Sequence, residues 1–337
     1  MIDFRSDTVT RPTQAMLQAM QNAKVGDDVF GDDPSINELQ RVAAQMFGME
    51  AALFCPSGTM TNQIAINVHT KPGDEVICEE NSHVYLYEGG GIAKNSGCSV
   101  RLLKGQKGQI TAQQVEEAIR ADDQHFPKSR LVSLENTSNK GGGTCYSISA
   151  LEEIKAVCEK HNLGFHLDGA RLFNAMVQTG QNAKKYGELF DSISICLSKG
   201  LGCPVGSLLL GTNTFIYHAR RTRKVFGGGM RQSGYLAAAG LYALENHIER
   251  LKIDHENAAI LANSLRKCSL VETVIEPETN IVVAHVANSR AVDSILEILK
   301  SKGILAVRFG ADSIRFVTHL DLSAQDIEQA CRIIEGL

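Results

Sequence analysis

The stretch SISICLSKGLGCPVGSLLLG, residues 192–211, decides how the chain folds. Two apolar runs, 192–197 and 206–211, flank a glycine-rich turn, and each has the length of a buried strand. The turn is too short for a crossover helix, which leaves antiparallel neighbours open near 192–211 in an otherwise parallel sheet. Lys199 follows the first run directly, fenced by Gly200, Gly202 and Gly206. A lysine at a strand end either snorkels to water or does chemistry. Glycines around it would admit a bulky ligand to the backbone.

Upstream, residues 51–55, 74–79, 99–103, 130–135 and 164–168 read as further strands. Helical stretches lie between them, at 61–70, 111–120 and 149–161, the last with Ser149 as candidate cap. Ahead of them, Ile36, Leu39, Val42, Ala43 and Met46 mark a helix over 36–47, with Asp33 or Ser35 as cap and Pro34 at an early position. Repeated strand–helix alternation predicts an α/β three-layer sandwich with a mostly parallel central sheet. From about 232 the pattern changes. A long helical stretch, 235–267, leads into strands at 271–275, 280–286 and 313–319 and helices at 291–303 and 324–336. The expected division is a large domain over 1–250 and a smaller C-terminal α+β domain over 251–337.

Several function classes drop out on composition. A net charge of -4 gives no electrostatic ground for nucleic acid. No run approaches the roughly 18 apolar residues of a membrane helix. The opening MIDFRSDTVT carries charge where a signal segment would be apolar. The nine cysteines include no CxxC pair, so no metal site is expected, and free thiols point to a reducing cytoplasm. No GxGxxG follows an early strand, which sets aside a dinucleotide site.

Open α/β sheets bind ligands beyond the carboxyl ends of their strands. Four such places carry reactive residues. After 51–55, Ser57, Gly58 and Thr59 open a helix whose free N–H groups suit a phosphate, though the same residues also read as an ordinary capped helix. After 74–79 comes His83, which could stack on an aromatic ring, move a proton or be structural. Asp168 ends the strand 164–168, with Arg171 three residues on; a helix cap and a surface arginine are the plainer reading. The fourth is Lys199. Together the four are what pyridoxal phosphate requires: donors for a phosphate, a stacking ring, an acid partner for a pyridine nitrogen and an amine for an aldehyde. On that reading Lys199 is the Schiff-base lysine.

The chain also resembles the low-specificity L-threonine aldolases, of the aspartate-aminotransferase fold. The resemblance runs through FRSDTVTRPT (4–13), VGDDVFGDDPS (25–35), PSGTMTNQ (56–63), HLDGARLFNA (166–175), SICLSKGLGCPVGS (194–207), GGGMRQSG (227–234) and IRFVTHLD (314–321). It implies a pyridoxal 5'-phosphate enzyme that cleaves threonine to glycine and acetaldehyde, assembled as a homotetramer. It implies that Lys199 carries the cofactor, Asp168 pairs with its ring nitrogen, His83 stacks on the ring, and Gly58 and Thr59 hold the phosphate. Arg171 and Arg315, with Ser6, would bind the substrate carboxylate; Arg308 lies near Arg315 but outside the motif. His83 or His125 would serve as base near the substrate hydroxyl. Lys224 and Arg231, from the same or a partner subunit, would help with the phosphate. The chain departs from the family at Ser138, where histidine is usual, in the 139–146 loop, and at Cys203, where alanine is usual. Serine hydroxymethyltransferase-like or other pyridoxal phosphate lyase activity is the alternative within enzymes, and a silent cofactor-binding protein the alternative outside them.

Overall fold

A computed structural model describes residues 1–287 and 291–337. At its centre is a seven-stranded sheet. Its strands in chain order are β1 (Ala51–Cys55), β2 (Asp74–Glu79), β3 (Ser99–Leu103), β4 (Lys128–Glu135), β5 (Gly164–Gly169), β6 (Ser192–Cys196) and β7 (Ser207–Gly211). They lie in the order β1-β7-β6-β5-β4-β2-β3. Only β7 runs against its neighbours. It pairs antiparallel with β6, Ile193 opposite Leu210 and Ile195 opposite Leu208, and antiparallel with β1. The antiparallel neighbours left open near 192–211 are therefore present. Every residue of β6 and β7 is buried, which explains their unbroken apolar character. Because β1 is antiparallel to β7, it points the same way as β6. The carboxyl ends of β1, β2, β4, β5 and β6 thus share one edge.

Helices cover both faces. Pro34–Phe47 is capped by Asp33, whose carboxylate accepts from the Ser35 and Ile36 N–H groups. Ile148–His161 starts at Ser147, not Ser149: the Ser147 side chain accepts from Ala150 N while Ser149 lies within the first turn. The stretch 235–267 forms two helices, Gly234–Asn246 and Leu251–Leu265. The helices Gln14–Gln21 and Asn213–Val225 carry no clear apolar period in the sequence.

A second sheet, antiparallel, holds β8 (Thr273–Val274), β9 (Ile281–His285), β10 (Val307–Arg308) and β11 (Ser313–Val317) in the order β10-β11-β9-β8. Leu251–Leu265, Ala291–Ser301 and Ala324–Glu335 pack around it through a separate apolar cluster that includes Leu261, Val282, Phe316 and Ile327. Ile2 and Phe4 join this cluster, and Ile2–Asp3 pairs parallel with Ile304–Leu305.

Candidate active site

The shared edge of the large sheet gathers the reactive residues. Lys199 lies three residues beyond β6 in a turn whose backbone is tied at both sides. Thr10 Oγ1 donates to the Lys199 carbonyl at 3.0 Å, and Gly202 N donates to it at 2.8 Å. Gly202 has φ +78°, the left-handed conformation that closes this turn and favours glycine. Lys199 Nζ lies 3.6 Å from Cys196 Sγ.

One cavity of about 340 Å³ collects Ser6, His83, Arg171, Lys199 and Arg315. Asp168, at the end of β5, is buried behind it. Its Oδ2 accepts from Asn62 Nδ2 at 2.8 Å and its Oδ1 from Ala170 N at 3.1 Å. His83 opens the short helix His83–Leu86 after β2. Its backbone N donates to Glu135 Oε2 at 2.8 Å, and its Nδ1 lies 3.0 Å from Glu88 Oε1. Burial opposes charge on this imidazole. The Glu88 hydrogen bond and the charges of Asp168, Glu88 and Glu135 outweigh that and raise its pKa above the ordinary histidine value. Burial, and then the charge of Asp168, push Glu135 up in turn.

Arg171 is buried in a bidentate pair with Asp7, Nε to Oδ2 and Nη2 to Oδ1. Arg315, on β11, gives Nη1 to Asn139 Oδ1 at 2.7 Å and Nη2 to the Arg5 carbonyl at 3.0 Å. Burial, with the charge of Arg171 nearby, lowers its pKa to about 10, and its buried Nε has no partner. Arg308 also lines the cavity, but its Nε is taken by Asp293 at 3.0 Å.

Gly58 and Thr59 are the first residues of Gly58–His69, capped by Ser57 Oγ on Met60 N. Their N–H groups have no acceptor behind them in the helix. A Cβ on Gly58 would meet Cys196 Sγ at 2.6 Å, so only glycine lets this helix start come so close to β6. An amine, an acid behind it and a helix start with open donors, all at one edge, fit the aldehyde, ring nitrogen and phosphate of pyridoxal phosphate.

Of the expected residues, Gly58, Thr59 and Asp168 lie outside the cavity lining at the same sheet edge, and His125, Lys224 and Arg231 do not line it either. His125 is exposed beside Asp123 at the amino end of β4, whereas Glu135, at the other end of that strand, binds His83. Eight residues of strand, at about 3.3 Å each, separate those ends. One chain therefore cannot bring His125 to its own substrate site. Lys224 is exposed at the end of Asn213–Val225, and Arg231 pairs with Asp27 at 2.9 Å. Beside them is a residue that sequence reasoning passed over, Arg223. It is buried, pairs with Asp28 at 2.7 Å and donates to the Phe54 carbonyl at 2.7 Å. Asp7, Asn62, Glu88, Glu135 and Asn139 were also passed over. Glu88, five residues after His83, and Glu135, which ends the run 130–135 as Asp168 ends 164–168, carried a local signal. Ser138 is buried in the 139–146 turn region, where its Oγ accepts from Gly141 N at 3.1 Å; a Cβ on Gly108 would collide with that oxygen.

Comparison with known proteins agrees with this geometry. A family model described as Beta-eliminating lyase matches residues 3–289. The chain is 44% identical over 330 residues to the Low specificity L-threonine aldolase of Escherichia coli (strain K12), covering 98% of this chain and 97% of that protein. It is 41% identical over 333 residues to Low-specificity L-threonine aldolase 1 of Arabidopsis thaliana, covering 97% and 93%. Its fold matches the Leishmania major threonine aldolase with a TM-score of 0.86 at 21% identity, over 100% and 99% of the two chains. An SPT structure holding PLP has the same fold, with a TM-score of 0.77 at 16% identity over 99% and 86%. Matched along nearly its whole length by such relatives, the chain belongs to the beta-eliminating lyase family, among the low-specificity L-threonine aldolases.

Proposed function

We propose that the protein cleaves the Cα–Cβ bond of L-threonine and L-allo-threonine to glycine and acetaldehyde, with pyridoxal 5'-phosphate as cofactor. The observation that carries this reading is the single cavity shared by Lys199, His83, Ser6 and Arg315, with Asp168 buried behind it. When bound, pyridoxal phosphate supplies an aldehyde for amines and a ring that takes up the electron pair of the breaking bond.

The side chains divide the remaining work. Lys199 Nζ is the attachment point. Asp168 holds a proton on the ring nitrogen, and the Gly58 and Thr59 N–H groups hold the phosphate. The unpartnered Nε of Arg315 and the Ser6 hydroxyl receive the substrate carboxylate, with the Nη1 of Arg171 beside them. That grip would fix the orientation of the bonds to Cα. His83 would lie against the cofactor when it is bound; with its Nδ1 donating to Glu88, its Nε2 is free to take the β-hydroxyl proton.

We further infer self-association, as the homotetramer of the family, because His125, at the far end of β4, can serve a site only across a contact between copies. The nine free cysteines, mostly buried, suit a reducing cytoplasm. Among the described residues no helix is long and apolar enough to cross a membrane.

Acetaldehyde release from L-threonine, with the visible absorbance of a pyridoxal imine, tests the proposal. Lys199→Ala should lose both. A variant that keeps near-normal cleavage would refute the assignment of Lys199.

A further inference from the structure

A buried line of polar side chains leaves the site and runs between the helix Gly58–His69 and the strands β5 and β6. Asn62, on Gly58–His69, presents its Nδ2 to two carboxylates, Asp168 Oδ2 at 2.8 Å and Glu88 Oε1 at 2.9 Å. Its Oδ1 lies 3.2 Å from His166 Nε2. His166 Nδ1 is 2.9 Å from Ser192 Oγ, and that oxygen is 2.8 Å from His69 Nε2. Asn62, His166 and Ser192 are all buried.

The direction of these bonds follows from valence. An amide nitrogen has two hydrogens, and here both meet carboxylate oxygens. Turned over, Asn62 would set its oxygen against both acids. So Oδ1 faces His166, and His166 Nε2 must carry a hydrogen. Burial, then the neighbouring His69, lower the pKa of His166 to about 3, so it is neutral. A neutral imidazole has one N–H, which leaves Nδ1 to accept from the Ser192 hydroxyl. The Ser192 oxygen then accepts from His69 Nε2–H. His69 is neutral as well, since burial lowers its pKa to about 4. Every donor therefore points from the far end of Gly58–His69 toward the two acids. Hydrogen bonds aligned in one direction polarise and strengthen one another.

Glu88 Oε1 accepts from Asn62 and also binds His83 Nδ1 at 3.0 Å. The Asn62 amide thus stands between the two poles of the site, Asp168 on one side and His83 on the other. It also fills the one place among the described residues where His83, Glu88 and Asp168 converge closely enough to suggest a cation.

We propose that His69, Ser192 and His166 form a one-way hydrogen-bond relay that locks the Asn62 amide, and that Asn62 and His166 are positioning residues coupling Asp168 to the imidazole of His83. The proposal rests on the reading of Asp168 as partner of the cofactor ring nitrogen.

Solid-state NMR of the holoenzyme with nitrogen-15 in its histidines reads the relay directly. His166 should be protonated at Nε2 alone; a proton on Nδ1 would overturn the proposal. His166→Leu removes the last donor to Asn62 and should speed cofactor loss on dilution about tenfold, the weight of one buried hydrogen bond. His166→Gln places an amide nitrogen near the Nε2 position and should restore slow loss. If the leucine variant does not fold, Ser192→Ala breaks the relay one step earlier without added bulk and should speed cofactor loss in the same direction. A lowered melting temperature with unchanged cofactor loss in these variants would mean that the line only packs the core. Failure of the Asp168 reading itself would appear elsewhere, as unaltered turnover and imine absorbance in Asp168→Asn.

Discussion

Asp7 holds Arg171 edge-on: its two carboxylate oxygens take Nε and Nη2 of the guanidinium, each at 2.7 Å. That edge of the fork is closed to any other anion, while the opposite edge, Nη1 with the second Nη2 hydrogen, stays open. Arg315 is different, because its buried Nε has no partner and its Nη groups meet only an amide oxygen and a backbone carbonyl. On the proposed reading both guanidiniums serve the substrate carboxylate, and Arg315 adds the donor that nothing else occupies.

Arg315→Lys should raise KM for threonine about tenfold or more, since an ammonium cannot reproduce a planar fork. Arg308→Lys should change it by about twofold at most, because Arg308 is exposed and already spent on Asp293. Steady-state kinetics of the two variants decide the matter. The reverse ranking would transfer the carboxylate to Arg308.

The Asp7–Arg171 pair also bears on stability. Burial opposes the charge on Asp7, but Arg171 and then Lys199 outweigh it and hold its carboxyl far below the usual range. A carboxyl depressed in the folded state stabilises the fold above its unfolded pKa, near 4, and loses that contribution as the pH falls below it. Asp7→Asn should cost about 3–5 kcal/mol at neutral pH by leaving Arg171 buried without a counter-charge. Denaturant melts across the acid range should show the gap between parent and variant narrowing as the pH drops. A gap that does not change with pH would mean the pair contributes through packing alone.

Activity should rise with pH through the titration of His83. As a base this imidazole must be neutral, and its raised pKa moves that limb to the alkaline side of an ordinary histidine. Glu88→Gln removes the second-ranked cause of the shift and leaves burial, which favours the neutral ring. The limb of kcat/KM should then move toward acid pH while the maximum falls. A limb that stays in place would exclude His83 as the titrating group.

Both L-epimers should be cleaved and D-threonine should not. The groups that hold cofactor and carboxylate touch only atoms common to the epimers. Contacts to the β-hydroxyl and methyl then separate them by about 1–3 kcal/mol, roughly 10–200-fold. In D-threonine, with the carboxylate on Arg315, Cα–H and Cα–Cβ exchange places. Acetaldehyde release from the three isomers under one set of conditions checks this. An absolute demand for one L-epimer, or ready cleavage of D-threonine, would contradict it.

The strands were legible because both faces of the sheet are covered. The unbroken apolar run of β6 announces its own burial, and a lysine directly after such a run announces a site. Asn213–Val225 was not legible: its buried stripe is Ile216, Ala219 and Arg223, and the arginine disguises the apolar period. The break between Gly234–Asn246 and Leu251–Leu265 has neither proline nor glycine to mark it. The site was legible where function follows a strand end, at Gly58, His83, Asp168 and Lys199. Asp7 escaped because its partner is 164 residues away, and nothing in FRSDTVT says which arginine it meets. His125 is the opposite case, a motif match that the fold places at the other end of β4 from His83, where sequence alone could not tell which copy's site it faces.

The first eleven residues act as a seam. Ile2 and Phe4 are hydrogen-bonded to Gly303 and Leu305, Val317 N donates to the Phe4 carbonyl, and Arg315 holds the Arg5 carbonyl. Asp7 then reaches Arg171, Thr10 reaches Lys199, and Arg11 meets Asp321. This segment is made before its partners in the 303–321 region. Contacts spanning some 310 residues cannot form until Arg315 has emerged. Nascent chains halted before Arg315 could bury the large sheet, but they would display Asp7 and Thr10 on an untethered strand. Assembly of the cavity that holds Lys199 and Arg315 is thus reserved for chains in which Arg315 has already been made.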